Sequence, residues 1–291
     1  MAVDAGAVKE LREKTGLPMM ECKKALEKTG GDVEKAIEEL RKQGLKAQEK
    51  LAGRKATEGR VGAYVSPDGK LGVLVALRCE TEPVSKNDAF RALLAEIVDA
   101  AAKERPPDRA ALESLVLSSG RTVAETVTDL VNKIRENISV GRCAILEGDA
   151  VVQYLHANEK KAAMLALKGG SASDPAIVEA AREIGMHIVF AHEAPETTPL
   201  ALSKADLDPE IVAKEREILL AAAKNDPKNA KKPEEILRKI VEGQVDKFVA
   251  GKCLLEQPFV KDPKHTVFQY LASHAKGAAI ERFAYVATHL A

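Results

Sequence analysis

Apolar residues in the first 42 positions recur at the spacing of amphipathic helices, in three short segments separated by helix-breaking residues. Pro18 suits the first turn of the second segment, because its missing N–H would be unpaired there. Gly30-Gly31 forms a good helix end, and Asp32 is a good N-cap for a third helix. The apolar positions of that helix follow the i, i+3, i+4, i+7 pattern: Val33, Ala36, Ile37 and Leu40. A bundle this small has a thin core, so residues 1–42 are predicted to form a binding head rather than an enzyme.

Two apolar runs further along the chain resemble each other at a constant offset of 90 residues. YVSPDGKLGVLVAL at 64–77 aligns with YLHANEKKAAMLAL at 154–167. The Ser66-Pro67-Asp68-Gly69 segment has the composition of a β-turn, so the first run is predicted to be a β-hairpin. Each run is followed by apolar residues at helical spacing: Phe90, Leu93, Leu94, Ile97, Val98 and Ala101 in one half, and Ile177, Ala181, Ile184 and Ile188 in the other. The pattern predicts a duplicated unit in which helices pack on antiparallel sheets.

From Pro209 onward the pattern changes to two long, charged helices separated by NDPKNAKK. A narrow apolar stripe along the second of them predicts an antiparallel coiled-coil hairpin inserted into the second half. A short helix and a last strand are expected after it. The fold class is therefore predicted to be α+β. Its parts are a three-helix head (1–42), a helical or flexible linker (43–57), a first core subdomain (58–140), a second core subdomain (141–208 and 253–291) and the inserted hairpin (209–252).

Composition narrows the choice of partner. The 44 basic residues balance 44 acidic ones, which argues against a nucleic acid or an anionic membrane as the main partner. The four cysteines are scattered without a Cys-x-x-Cys pair, so we expect free thiols in a reducing compartment. The N-terminal segment resembles neither a signal nor a transit peptide, and no apolar run approaches the roughly 20 residues of a membrane span. We expect a soluble cytoplasmic protein.

The chain lacks the sequence patterns of common catalytic sites: no Walker loop, no dinucleotide-binding glycine fingerprint and no nucleophile elbow occur. Gly169-Gly170-Ser171 is expected to be a simple turn. His187 and His192 are spaced so that they do not share a helix face, which disfavours a metal site. Glu80 and Glu82, two apart on a segment expected to be extended, are interpreted as solvated loop charges. We therefore predict a binding protein without catalytic residues, metal or cofactor.

The segment LREKTGLPMMECKKALEKTGGDVEKAIEELR at 11–41 closely resembles the N-terminal signature of the bacterial elongation factor Ts family. Residues 15–26, TGLPMMECKKAL, reproduce its most specific part. The segment from 58 to 90 resembles the second signature of the family, and LLEQPFV at 254–260 resembles a third. The resemblance covers almost the whole chain.

This resemblance implies both a fold and a function. The fold is a ubiquitin-associated-like head, two similar core subdomains and an inserted coiled coil. The function is that of a guanine-nucleotide exchange factor for the GTPase elongation factor Tu, in a 1:1 or 2:2 complex. Such a factor binds neither GTP nor GDP itself. It displaces magnesium and distorts the phosphate-binding region of its partner, so that GDP leaves faster and GTP takes the site.

The resemblance also assigns residues that contact the partner. Thr81, Glu82, Pro83 and Val84 correspond to the tip that displaces magnesium, Met20 and Lys23 to the contact made by the head, and His156 to a contact in the second half. Helical periodicity independently places Met20 on the charged face of its helix, and Met19 on the core side beside Leu26.

Two departures from the family pattern stand out. The Asp-Phe of the magnesium-displacing tip is replaced by Glu82-Pro83, which removes an aromatic wedge but keeps a carboxylate. Pro83 has a fixed φ and is expected to hold Glu82 extended. The sequence also ends at Ala291 without the C-terminal helical extension of many relatives.

Two other classes of function remain to be weighed. The head alone would suit a non-catalytic adaptor or scaffold, but that function would leave the duplicated core unexplained. A translation-linked hydrolase would need catalytic residues that the sequence does not offer.

Overall fold

A computed structural model describes residues 3–226 and 232–290, which form the mixed helix-and-sheet fold predicted as α+β. The helices are α1 (Ala5–Thr15), α2 (Met19–Lys28), α3 (Val33–Leu51), α4 (Glu82–Ser85), α5 (Asp88–Glu104), α6 (Arg109–Ser114), α7 (Val123–Ile134), α8 (Pro175–Ala191), α9 (Pro209–Asn225), α10 (Glu234–Lys252) and α11 (Val267–His274). The strands are β1 (Glu58–Val65), β2 (Leu71–Cys79), β3 (Ser139–Glu147), β4 (Ala150–Leu155), β5 (Lys161–Lys168), β6 (Pro258–Phe259), β7 (Asp262–Thr266) and β8 (Ala279–Ala287). Among the described residues, no helix is both long enough and apolar enough to cross a membrane.

The head consists of α1, α2 and α3 around a small apolar core. Side chains of Asp4 and Asp32 cap the N-termini of α1 and α3, and Gly16 ends α1 in the left-handed conformation that glycine adopts readily. The buried side chains are Val8, Leu11, Leu17, Cys22, Ala25, Leu26, Ala36 and Leu40. Helix α3 does not end near residue 42 but continues to Leu51, so most of the predicted linker is helical.

The core contains two antiparallel sheets of three strands each, in the orders β1-β2-β3 and β4-β5-β8. The predicted hairpin turn is present between β1 and β2, where the N–H of Gly69 donates to the carbonyl of Ser66 at 2.8 Å. β3 pairs with β2, so the subdomain boundary that the sequence suggested at 140–141 lies inside a strand of the first sheet.

Alternating residues of the central strands β2 and β5 are buried on opposite faces. In β2, Val73, Val75 and Leu77 pack against α5 and α7, whereas Leu74 and Ala76 pack against the second sheet. In β5, Ala163, Leu165 and Leu167 pack against α8 and α11, whereas Ala162, Met164 and Ala166 face the first sheet. The core is therefore a stack of four layers, in the order helices, sheet, sheet, helices.

The head rests on the core through α3 and α7. A Cβ atom at Gly44 of α3 would come within 1.8 Å of the Asn132 side chain, so the absence of a side chain at Gly44 allows α3 and α7 to approach this closely. Four residues further along α3, Gln48 accepts a hydrogen bond from the Thr128 hydroxyl at 2.7 Å. These contacts hold the head in a fixed position on the first half of the core.

Helices α9 and α10 form the predicted antiparallel hairpin, with Ala223, Val241 and Val245 buried between them. Part of the segment predicted to separate them, 227–231, lies outside the described residues. At the base of the hairpin, the buried Gln257 donates to the carbonyls of Thr197 (2.6 Å) and Gly251 (2.5 Å). Beyond it, the structure adds the short β6–β7 ribbon, which the sequence pattern did not predict, before the expected helix α11 and last strand β8.

The close packing of the two sheets predicts that even one methyl group at Gly72 is destabilising. A Cβ there would lie 2.3 Å from Sδ of Met164 and 2.5 Å from Cγ1 of Val151. Overpacking of this kind costs about 1–3 kcal/mol. The loss exceeds the roughly 0.4–1 kcal/mol that an alanine contributes by restricting the unfolded chain. We expect Gly72→Ala to lower the free energy of unfolding, measured by chemical denaturation.

Gly53→Ala is the matched control, because a Cβ at Gly53 has no neighbour within 4 Å. It should leave stability unchanged or raise it slightly. If Gly72→Ala proves as stable as Gly53→Ala, the two sheets are not in close contact at this point.

Candidate functional site

The segment between β2 and α5 forms a short helical turn at the surface rather than an extended loop. Thr81 is the N-cap of α4, and Glu82 and Pro83 are its first two residues. The expectation that Pro83 holds Glu82 extended is therefore wrong. Proline is tolerated in the first helical turn, and the turn is closed by hydrogen bonds from Lys86 N–H to the Pro83 carbonyl (3.2 Å) and from the Ser85 hydroxyl to the Glu82 carbonyl (2.7 Å).

The base of this turn is held by two carboxylates on distant segments, each of which accepts hydrogen bonds from the backbone of the other segment. Glu136, which follows α7, accepts from the backbone N–H groups of Glu80 (3.2 Å) and Thr81 (3.0 Å) and from the Thr81 hydroxyl (2.6 Å). In return, the carboxylate of Glu80 accepts from the N–H of Asn137 at 2.6 Å. Hydrogen bonds to an ionised acceptor are stronger than neutral ones, so this arrangement makes the base of the turn rigid.

Glu80 and Glu82, which the sequence placed on one extended loop, have separate environments. Glu80 is mostly covered and lies 3.6 Å from the Arg54 guanidinium, in addition to its bond with Asn137. Asn137 in turn donates from its side chain to the carbonyl of Arg54 at 2.7 Å. Glu80 therefore supports the fold, and only Glu82 is free to contact another molecule.

The exposed tip of the turn carries a negative charge. Thr81, Glu82 and Pro83 are exposed, whereas Val84 is half-buried and packs against the first core. A hydrogen bond and ion pair with Lys86 at 2.8 Å, aided by the nearby charge of Lys160, hold the pKa of Glu82 below its ordinary value. Glu82 is therefore ionised at neutral pH. Three of the four residues assigned to the tip project outward, and the fourth anchors it.

A segment of the second half lies beside the same turn. The guanidinium of Arg60 donates to the Ser85 carbonyl at 2.7 Å and forms an ion pair with Glu159, in the β4–β5 turn. His156 begins that turn; it is half-buried, and its Nδ1 is 3.1 Å from the Tyr154 hydroxyl. Arg60 thus connects the α4 tip to the turn that carries His156.

The candidate contact on the head is separate from this region. Met20 is 60% exposed, and Lys23 is exposed with its amine 3.8 Å from Glu27. The prediction that Met19 packs in the core is wrong, because its side chain is 49% exposed. Met19 is the first residue of α2, and side chains there tilt toward the N-terminus, past the helices that could cover them. The two methionines therefore form an exposed apolar pair.

The structure reveals supporting residues that sequence reasoning missed, chiefly Glu136, Asn137 and Arg60. No local pattern marks them, because Glu136 acts on a residue 55 positions away. The preceding residue, Arg135, ends α7 with a positive φ and forms an ion pair with Glu21 of the head. The segment 135–137 thus contacts both the head and the base of the α4 turn. Over the described ranges, no three or more His, Cys, Asp or Glu side chains are grouped so that they could hold a metal ion.

Comparison with known proteins gives one consistent result. A family model described as "Elongation factor TS" matches residues 80–288. The chain is 41% identical over 281 residues to an elongation factor Ts of Cytophaga hutchinsonii, covering 97% of both chains. It is 43% identical over 283 residues to that of an Azoarcus species, covering 97% of this chain and 89% of the relative. For the protein of Clostridium perfringens the identity is 40% over 276 residues, covering 94% and 88% of the two chains.

The role of Glu136 leads to a prediction about the backbone at Thr81. In a Glu136→Gln variant, one carboxylate oxygen becomes an NH₂ group that accepts no hydrogen bond, and the remaining carbonyl oxygen is an uncharged and therefore weaker acceptor. We expect hydrogen exchange at the Thr81 amide to accelerate by about tenfold or more, since hydrogen bonds to charged groups are worth about 1.5–3 kcal/mol. Amide hydrogen exchange followed by NMR measures this.

Glu235→Gln serves as the control, because the Glu235 side chain is 83% exposed and, within the described ranges, its one ion pair is with Lys239, at 3.4 Å. It should leave exchange at Thr81 unchanged. An equally unchanged rate in Glu136→Gln would mean that the carboxylate does not hold the turn.

Proposed function

Because the chain belongs to the elongation factor Ts family of translation elongation factors, we propose that it binds elongation factor Tu and promotes the exchange of GDP for GTP on that GTPase. In this proposal the protein makes and breaks no covalent bond, needs no cofactor, binds no nucleotide itself and acts in the cytoplasm. The observation that carries the proposal is the exposed α4 tip, an ionised carboxylate on a base that is braced from two directions.

Such a tip is suited to disturb a cation site in a partner. The charge of Glu82 can compete for Mg²⁺ or repel the groups that coordinate it, and a rigid base keeps the tip from yielding when it presses on another surface. Loss of Mg²⁺ removes the charge that neutralises the phosphates of bound GDP, so GDP leaves faster. The two binding affinities are linked reciprocally. If the factor lowers the affinity of elongation factor Tu for GDP by some ratio, bound GDP lowers the affinity of elongation factor Tu for the factor by the same ratio.

A second contact, on the head, supports the same function. Met20 and Lys23 offer an apolar and a cationic group on the exposed face of α2. The head is fixed to the core by the α3–α7 packing, so the head contact and the tip would meet one partner in a preset relation. Preorganisation lowers the entropy lost on binding. His156, in the neighbouring β4–β5 turn, would add a third contact with the partner. Together these contacts define a 1:1 complex, and a 2:2 complex would contain two such units.

The charge of Glu82 is expected to be needed for exchange. Glu82→Ala should slow GDP release from elongation factor Tu by about tenfold. Pro83→Phe should keep the rate of GDP release unchanged or raise it. An added aromatic ring can bury apolar surface worth about 1–2 kcal/mol, which corresponds to a rate increase of up to about ten- to thirtyfold. Stopped-flow release of a fluorescent GDP analogue gives both rates.

Glu104→Ala is a suitable control for the loss of a carboxylate, because Glu104 and Glu82 are similarly exposed, at 56% and 53%. It should leave GDP release unchanged. The role given to the tip would be refuted by unchanged rates for Glu82→Ala, Pro83→Ala and the double variant.

The head contact makes a separate prediction about affinity. Met20→Ala and Lys23→Ala should each weaken binding to elongation factor Tu by about fivefold, which corresponds to the roughly 1 kcal/mol typical of a contributing interface residue. Leu45→Ala, which removes an exposed apolar side chain from α3, is the control and should bind normally. Calorimetry gives the affinities, and circular dichroism checks that the head stays folded. Normal binding by folded Met20→Ala and Lys23→Ala variants would exclude this face of the head as a contact.

A further inference from the structure

A polar cavity lies where the head meets α7, away from the α4 tip. Its volume is about 240 Å³. Its walls come from the end of α1, from α3 and from α7, so it is bounded by the head on one side and by the core on the other. The lining residues are Lys14, Thr15, Leu17, Ile37, Leu40, Arg41, Arg121, Asp129, Asn132 and Lys133.

Cations outnumber carboxylates among the described side chains that line this cavity. Four of them are cations and one, Asp129, is a carboxylate that already forms an ion pair with Arg121. Glu125, next to the cavity, lies 4.0 Å from Arg121. Lys14 pairs with Glu10 at 2.8 Å, outside the cavity. Arg41 and Lys133 have no ion pair or hydrogen bond to any other residue that the structure describes. Burial and the nearby charge of Arg41 lower the pKa of Arg121, as expected where like charges converge.

One buried polar atom at the cavity lacks a hydrogen-bond partner. The Nε–H group of Arg121 is buried and donates to no acceptor among the described residues, and the Glu125 carboxylate lies 4.0 Å from it, beyond hydrogen-bond distance. Unpaired buried donors are rare in proteins and call for a ligand or an ordered solvent molecule. Because a guanidinium N–H can only donate, the missing species is an acceptor.

We propose that this cavity binds a phosphate-type oxyanion between the head and the core. Guanidinium and ammonium groups match the charge and geometry of phosphate oxygens. The volume is below the roughly 300–1,000 Å³ of pockets that enclose larger ligands, so inorganic phosphate fits and a whole nucleotide does not.

An anion in this position would act on the docking of the head. Arg41 belongs to α3 of the head, whereas Arg121 and Lys133 belong to the core, so one ligand would contact both. A ligand that binds only the docked arrangement stabilises that arrangement by mass action. This site is independent of the exchange function proposed above, because none of its residues lies on the α4 tip.

The test is a titration of the full chain with sodium phosphate, followed by amide NMR shifts, against sodium chloride at equal ionic strength. We expect saturable shifts at Thr15, Asn132 and Lys133 with phosphate only. In the Arg41→Gln/Lys133→Gln double variant the dissociation constant should rise at least about tenfold. Lys42→Gln, which removes one exposed charge from α3 outside the cavity, should bind as the unmodified chain does.

Both substituted side chains are exposed, so the double variant is expected to fold, and the single Arg41→Gln variant provides a second, milder test. Equal phosphate affinity in the unmodified chain and in both variants would overturn the proposal, as would shifts that chloride reproduces. A titration with GDP completes the design. Cavity shifts with GDP but not with phosphate would overturn the assignment of a small oxyanion, and no shifts with GDP would support it.

Discussion

The contact between the two sheets is the constraint on which the rest of the fold depends. It buries the inner faces of β2 and β5, and the helices bury their outer faces, so both strands are apolar at almost every position. Small residues on the inner faces allow the sheets to approach closely; Gly72 is the extreme case. Because β2 cannot shift without breaking both interfaces, the position of its last residue, Cys79, and of the turn that follows, is fixed.

The candidate interaction site uses this fixed strand end as its support. Burial raises the pKa of the Cys79 thiol to about 12, so it stays neutral and donates to the Thr81 carbonyl at 3.2 Å. The exchange of hydrogen bonds by Glu80 and Glu136 then orients the turn. The carboxylate of Glu80, which supports the turn, is thus mostly covered, whereas the carboxylate of Glu82, which can act on a partner, is exposed. The arrangement is suited to presenting a charged group rather than to chemistry.

The segment 135–137 connects three parts of the molecule that are distant in sequence. Arg135 forms an ion pair with Glu21 of the head, and Glu136 holds the α4 turn. The side chain of Asn137 donates to the carbonyls of Ala52 and Arg54, just after the end of α3. The head and the tip are therefore supported from one place in the core. Glu82-Pro83 offers charge without an aromatic ring, so the proposed exchange activity depends on electrostatics more than on insertion of an apolar side chain.

The sequence alone determined the features that depend on neighbouring residues. Helical spacing and capping residues predicted the head, the turn at Ser66–Gly69 and the 90-residue offset predicted the duplicated hairpins, and the family motifs indicated the family. Only the tertiary structure decided the features that depend on distant partners. Glu136 braces a turn 55 residues away, β3 joins the first sheet across the expected boundary, and Met19 is exposed because the described helices leave the start of α2 uncovered. Periodicity shows which face of a helix is apolar, but packing decides whether another element covers it.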